Sequence, residues 1–419
     1  MVALHAAARQ ARGVGRRGVV MNKDRIVLLD ALRGLGVLGI LLCNAPDFAV
    51  PPVVAESASH WPHGTGPATL SVWVVTQWLF QRKFVTLFAM LFGVSIFLVG
   101  GERSDKDRGA ILRRRLLWMV VFGLLHGFLI WYGDVLLSYA LAGFVVLFVR
   151  SWPARKLIRT GLTIWIVFSL LSLVGLSFAA FTPQAADQQA LETAKMLAKA
   201  KAAEAAYGGD FLQSLVQNAK DRLAFLPAEP IIFVMTSALM MLGLGAFKAG
   251  VLTGEASGRV YRRLLVGGVL ASLLVGGLFV AEAVMGLPRG LGMVAVGVQW
   301  ALAPPTTLAY VALMVFATRS TPWSAIPRAL APVGQMAFTN YLAQSVIMTA
   351  IFYGGRGLGL HGEVDRPGLA AITVAIWIAQ ILWSRWWLDR FEMGPLEWVW
   401  RRLYRGPSPL RKRVSAAIA

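Results

Sequence analysis

The chain has one cysteine, Cys43, in 419 residues, so it can form neither an internal disulfide nor a cysteine-based metal cluster. Acidic residues are also scarce: 21 Asp and Glu stand against 41 Lys and Arg, for a formal charge of +20. Charged residues of both signs make up only 15% of the chain while 57% is hydrophobic, too little polar surface to cover a soluble fold of this length. The sequence contains no P-loop, no HExxH, no GxSxG in a strand context, no internal repeat and no low-complexity tract. In a soluble protein such basicity would point to nucleic acid. Here the Lys and Arg residues sit in short segments between long apolar runs, where the positive-inside rule accounts for them and no nucleic-acid partner is expected.

What is present reads as an all-α, polytopic transmembrane helical bundle. The apolar runs suggest ten spans, at 25–52, 84–100, 116–131, 135–149, 161–181, 229–247, 264–285, 290–316, 331–352 and 369–388. A further stretch, 70–84, is short and Trp-rich and reads as interfacial or re-entrant. Pro304-Pro305 should bend the eighth span. Residues 1–24 form a basic tail with no apolar core for a signal peptide, and Met21 is an alternative start. Residues 25–404 form one transmembrane domain, 183–227 an outer insertion of two helices, and 405–419 a second basic tail. The stretch before that tail is a basic amphipathic helix. With this topology both termini face the cytoplasm. Arg82, Lys83, Arg289, Arg356 and Arg366 break the charge rule, which makes them candidates for anionic ligands or lipid phosphates.

The first span carries Asp30, Arg33 and Asn44. At about 100° per residue the three share one side of the helix over a rise of about 21 Å. Charge in hydrocarbon is costly unless it faces a bundle interior, so this stripe is a candidate site. Asp30 and Arg33 can pair at the inner end, and Asn44 lies at the outer end, where it would bind a carbonyl or cap the break before Pro46. His126 lies below the break Tyr132-Gly133-Asp134, and an imidazole oriented by Asp134 is the arrangement a general base needs. Asn340, Tyr341 and Gln344 share a face mid-span and read either as a substrate contact or as interhelical hydrogen bonding. His60 and His63 lie in the first outer loop. No metal site is indicated.

Five blocks, LDALRGLGVLGILLCN, KFVTLFAMLFG, GLLHGFLIWYGDVLLSYALAG, MAFTNYLAQSVI with FYGGRGLGL, and WSRWWLDRFEMGPLEWVWRRL, resemble in order the YeiB-like bacterial inner-membrane proteins, a family largely of unknown function. The first block also resembles the opening helix of two groups of membrane acyltransferases, in which an acidic residue, Arg-Gly or Arg-Ala, and a polar residue eleven positions after the Arg recur. That polar residue is His in the acyltransferase-3 type. It is Asn in the lysosomal heparan glucosaminide acetyltransferase, as at Asn44 here. The resemblance implies a bacterial inner-membrane enzyme that takes an acyl group, acetyl first of all, from cytoplasmic coenzyme A to a small-molecule or glycan acceptor at the outer face. His126, Asp134 and Asn44 would then be catalytic, and Asp30, Arg33, Arg82 and Lys83 would hold the donor. Asn340, Tyr341, Gln344, His60 and His63 would contact the acceptor. Membrane lipids are the expected surroundings and a homodimer is open. The alternatives are a proton-coupled transporter and a non-catalytic membrane binding protein.

Overall fold

The computed structural model describes residues 23–181, 186–286, 289–407 and 409–410. Its helices are α1 (Lys23–Ala49), α2 (Pro52–Ala55), α3 (Pro67–Val75), α4 (Lys83–Gly100), α5 (Lys106–Leu125), α6 (Leu136–Val149), α7 (Ala154–Phe181), α8 (Ala186–Tyr207) and α9 (Phe211–Phe225). These are followed by α10 (Glu229–Lys248), α11 (Gly258–Met285), α12 (Arg289–Ala301), α13 (Ala303–Arg319), α14 (Ala325–Gln335), α15 (Ala337–Phe352), α16 (Arg366–Leu388) and α17 (Pro395–Arg405). No strand occurs among the described residues, so the protein is an all-α bundle. Two π-helical turns, Thr76–Phe80 and His126–Ile130, close α3 and α5.

Among the described residues six helical segments are long and apolar enough to cross a membrane, and a seventh counts if α12 and α13 form one broken span. The expected count of ten is not reached, for identifiable reasons. Helices α6 and α15 have only 14 and 16 residues, and α5 carries Arg113, Arg114 and Arg115 in its length. The stretch 331–352 is not one helix but α14 and α15, broken at Met336. Pro304 and Pro305 do act as expected: they start α13, which bends 49° from α12. The two halves of the 183–227 insertion are helical, but α9 runs through a 3-10 turn straight into α10, giving a continuous segment Phe211–Lys248.

The bundle has an apolar centre and an apolar exterior. Leu32, Leu87, Val94, Leu116, Ala140, Met240 and Val311 are buried in one cluster shared by α1, α4, α5, α6, α10 and α13. Helices α7 and α11 instead expose Leu170, Leu171, Val174, Leu270, Leu273 and Val284, which is the surface a helix presents to lipid. Two glycine crossings set the depth of packing. A methyl group at Gly334 would overlap the carbonyl of Asp30, and one at Gly93 would overlap that of Met240. Close backbone approach of this kind is what small residues supply where no hydrophobic effect draws helices together. The first crossing clamps α14 along α1 beside Asp30 and Arg33.

Candidate functional site

The second π turn is built by a helix that widens as it ends. Trp131 N donates to His126 O at 2.9 Å across the wide turn, and Trp131 is then extended before the chain reverses into α6. Widening leaves backbone carbonyls without helical donors, and buried carbonyls need partners. Three distant side chains supply them. Asn218 Nδ2 donates to Gly127 O and Phe128 O, both at 3.0 Å, while its Oδ1 accepts from Tyr132 N at 2.8 Å. Arg356 Nη1 reaches Ile130 O at 2.9 Å. Arg222 Nη1 reaches the carbonyls of Tyr132 and Asp134 at 3.3 and 3.4 Å.

This scaffold holds a buried dyad. His126 Nδ1 lies 2.9 Å from Asp134 Oδ1, and Asp134 Oδ2 accepts from Leu137 N at 3.0 Å. Asp134 therefore both orients the imidazole and accepts from an amide in the first turn of α6. With the carboxylate ionised, Nδ1 carries the hydrogen and Nε2 keeps its lone pair. That nitrogen is buried and has no hydrogen-bond partner in the protein. The Arg222 charge is answered by Glu229 Oε1 at 2.6 Å, and Ser138 Oγ donates to Glu229 Oε2 at 2.6 Å.

The Tyr341 ring packs on the His126 ring at 5.4 Å and also lines a cavity of about 200 Å³. The cavity walls come from α1, α4, α5, α6, α14, α15 and α17 and are mainly apolar, including Ile40, Leu91, Phe92, Met119 and Leu136. Two guanidinium groups stand in the same wall. Arg33 pairs with Asp30 at 2.8 Å. Arg115 donates to Ser95 Oγ at 3.1 Å and lies over the rings of Trp400 and Phe92. Glu397 of α17 also borders the cavity, its oxygens accepting from Phe338 N at 2.7 Å, Thr339 N at 3.1 Å and Thr339 Oγ1 at 2.5 Å. Burial pushes the Glu397 carboxyl up, and the bonds from Thr339 and Phe338 pull it back.

The other sequence candidates lie elsewhere. Asn44 is half-buried and lines neither this cavity nor the dyad, and α1 continues past Pro46 to Ala49, so Asn44 caps no break. Asn340 spends its amide on Val333 O and Ser384 Oγ and accepts from Trp383 Nε1; Gln344 bonds Val37 O and Gln380 Oε1. Both tie α15 to α1, α14 and α16, the interhelical role. Arg82 pairs with Glu56 at 2.7 Å and stacks on Trp300, and Lys83 is buried against Gln77 O at 3.2 Å; neither lines the cavity that holds Arg33. Arg366 binds the carbonyls of Ala55 and Ser57. The Arg289 side chain lies outside the described residues. His63 bonds Gly362 O at 2.8 Å, whereas His60 joins Glu56, Ser57, Ser59, Trp73 and Glu282 around a second cavity of about 440 Å³. Among the described residues no group of three or more His, Cys, Asp or Glu is placed to hold a metal ion.

Four residues of the assembly were not singled out in the sequence: Arg115, Asn218, Arg222 and Glu229. The signal for two of them was present. Ser214, Asn218 and Arg222 recur every four residues on α9 and are fully buried, while Phe211, Leu212, Val216 and Leu223 on the same helix are exposed. The helix is amphipathic, with its polar face turned inward.

Two curated relatives match nearly end to end. One is the "Uncharacterized protein YxaH" of Bacillus subtilis, 30% identical over 94% of this chain and 98% of its own length. The other is the "Uncharacterized protein YeiB" of Escherichia coli, 31% identical over 94% of this chain and 100% of its own. An "Uncharacterized 39.9 kDa protein in amylase 3'region" of Bacillus acidopullulyticus is 24% identical over 91% of the chain and 94% of its own length. No solved structure matches. Residues 246–407, which contain α17 and the Tyr341 side of the cavity, match the family described as "Protein of unknown function (DUF418)". The chain is thus a multi-pass membrane protein that belongs to the YeiB-like family of unknown function.

Proposed function

We propose that the protein is a membrane-embedded acyltransferase that draws its acyl donor from the cytoplasmic side, where α1 begins, and passes the group to a hydroxyl or amine acceptor from the opposite side. The observation that carries this reading is Tyr341, which lines an apolar cavity containing Arg33 and Arg115 and also packs on the oriented His126–Asp134 pair. Acyl-coenzyme A fits that donor set: its phosphates suit the two guanidinium groups and its thioester arm an apolar wall. His126 Nε2 takes the acceptor's proton as the acceptor oxygen or nitrogen attacks the thioester carbonyl. The carbon–sulfur bond then breaks, and the thiolate leaves and regains a proton from the imidazolium. The Tyr341 hydroxyl, buried and without a protein partner, replaces Asn44 as the donor to the carbonyl oxygen. An inner membrane of a bacterium is the location this reading carries with it.

A non-catalytic binding protein is the second reading, favoured by the burial of His126 and Asp134, 1% and 0% exposed, with neither in the cavity wall. One experiment separates the two. Purified protein is incubated with acetyl-coenzyme A and examined by native mass spectrometry and thermal unfolding. Binding together with label transfer to an added membrane extract supports the enzyme. Absence of binding or stabilisation at millimolar coenzyme A overturns it.

A further inference from the structure

We propose that the cavity selects a single-chain anionic amphiphile, its acidic head held between Arg33 and Arg115 and its aliphatic chain running toward Tyr341. Arg115 supplies the first argument. Its protein partners are a serine hydroxyl and two aromatic faces, its Nε is buried and unpartnered, and no carboxylate pairs with it. Holding part of a guanidinium in a mainly apolar wall without a counter-charge is unfavourable, and a bound anion offsets that cost. The carboxylates nearby are already engaged: Asp30 by Arg33, and Glu397 by three donors at the start of α15. An acidic ligand group is the natural direct partner for the Arg115 guanidinium.

The wall gives the second argument. From Arg33 to Ile40 it runs about 10 Å along α1 at roughly 1.5 Å per residue. A volume of about 200 Å³ lined by Leu91, Phe92, Met119 and Leu136 exceeds what an acetyl group fills. Each methylene of a longer chain buried there adds favourable apolar contact, so chain length and not the head alone sets affinity. An amphiphile bound in this way stands apart from the acyl-donor reading: the cavity alone argues for it, and a chain end beside Tyr341 carries no reacting carbonyl.

Binding is measured on the full chain in nanodiscs by thermal unfolding and native mass spectrometry. Octyl phosphate is the probe, with ethyl phosphate as head alone and octyl glucoside as chain alone. Octyl phosphate should bind and stabilise while the two partial probes at the same concentration do not. Arg115→Gln should weaken it at least tenfold. Met119→Trp, which fills the cavity without touching a charge, should abolish it while the protein still unfolds cooperatively. Equal binding of octyl glucoside, equal binding of ethyl phosphate, or no binding of octyl phosphate overturns the proposal. Octanoyl-coenzyme A and a lysophosphatidic acid, compared next, separate a soluble acyl donor from a membrane lipid as the source. Octyl phosphate binding without any acyl transfer would leave this inference standing and remove the enzyme reading; transfer of acetyl with no chain-length dependence would do the reverse.

Discussion

The two π turns of the bundle begin alike and end differently. In the first, Gln81 N closes the wide turn onto Thr76 O at 2.8 Å, and in the second Trp131 N does the same onto His126 O. Both leave carbonyls that distant side chains must satisfy. At the first turn Gln299 Nε2 and Lys83 Nζ converge on Gln77 O, and the Tyr310 hydroxyl donates to Leu79 O at 2.6 Å. The chain then leaves through Arg82 at φ 69°, the one positive-φ residue other than glycine among those described. At the second turn the donors are Asn218, Arg222 and Arg356, and the mouth holds His126 and Asp134 beside a cavity. A π turn therefore supplies open carbonyls and a break in the span. What makes one of them a candidate site is the titratable pair that brackets it, His126 at its start and Asp134 beyond its end, and the space that Tyr341 connects to it.

The sharpest way to break this comparison is to remove one sealing group from each turn. Arg222→Leu leaves Glu229 buried without its partner and should cost about 3–5 kcal/mol, read as a large fall in thermal stability in nanodiscs. Adding Glu229→Gln should recover part of that loss. The second test uses pH. His361 packs between Tyr207 and Tyr353, in the loop whose Arg356 seals the second turn, and burial pushes its imidazole down to about 4. Above about 6.5 it is neutral whether the chain is folded or unfolded. As pH falls from there toward 4 the unfolded chain takes up a proton that the folded one refuses, so stability is full above the ordinary value and is lost across that window, by up to about 3 kcal/mol. His361→Phe should flatten the pH dependence of unfolding in that range. Smallest of the three, Gln299→Leu at the first turn removes a neutral bond and should cost about 1–3 kcal/mol. It should leave any acyl transfer unchanged.

How much of this was legible in the sequence depends on which force decided each feature. The break at Tyr132-Gly133-Asp134, the His126–Asp134 pairing, the bend at Pro304-Pro305 and the basic amphipathic helix at the end all follow from local chemistry, and the structure contains them. The partition of 331–352 into α14 and α15 does not, because it comes from packing: Gly334 lies against the α1 backbone at Asp30, and the helix restarts at Ala337 where Glu397 caps its amides. Arg115 was hidden in a run of three arginines, which composition reads only as a cytoplasmic marker. Asn218 and Arg222 were missed for a different reason. In a soluble protein the apolar face of α9 would be the buried one, and against lipid that rule reverses.

The central claim is that the second turn carries the chemistry and the first does not. The most direct test is transfer of labelled acyl groups from acyl-coenzyme A in membranes containing the wild type, His126→Ala or Gln299→Leu at equal abundance. Transfer by the wild type, unchanged in Gln299→Leu and lowered by roughly 10²–10⁴-fold in His126→Ala with donor binding retained, is the predicted result. Equal transfer by His126→Ala and the wild type, or none by the wild type, would contradict it.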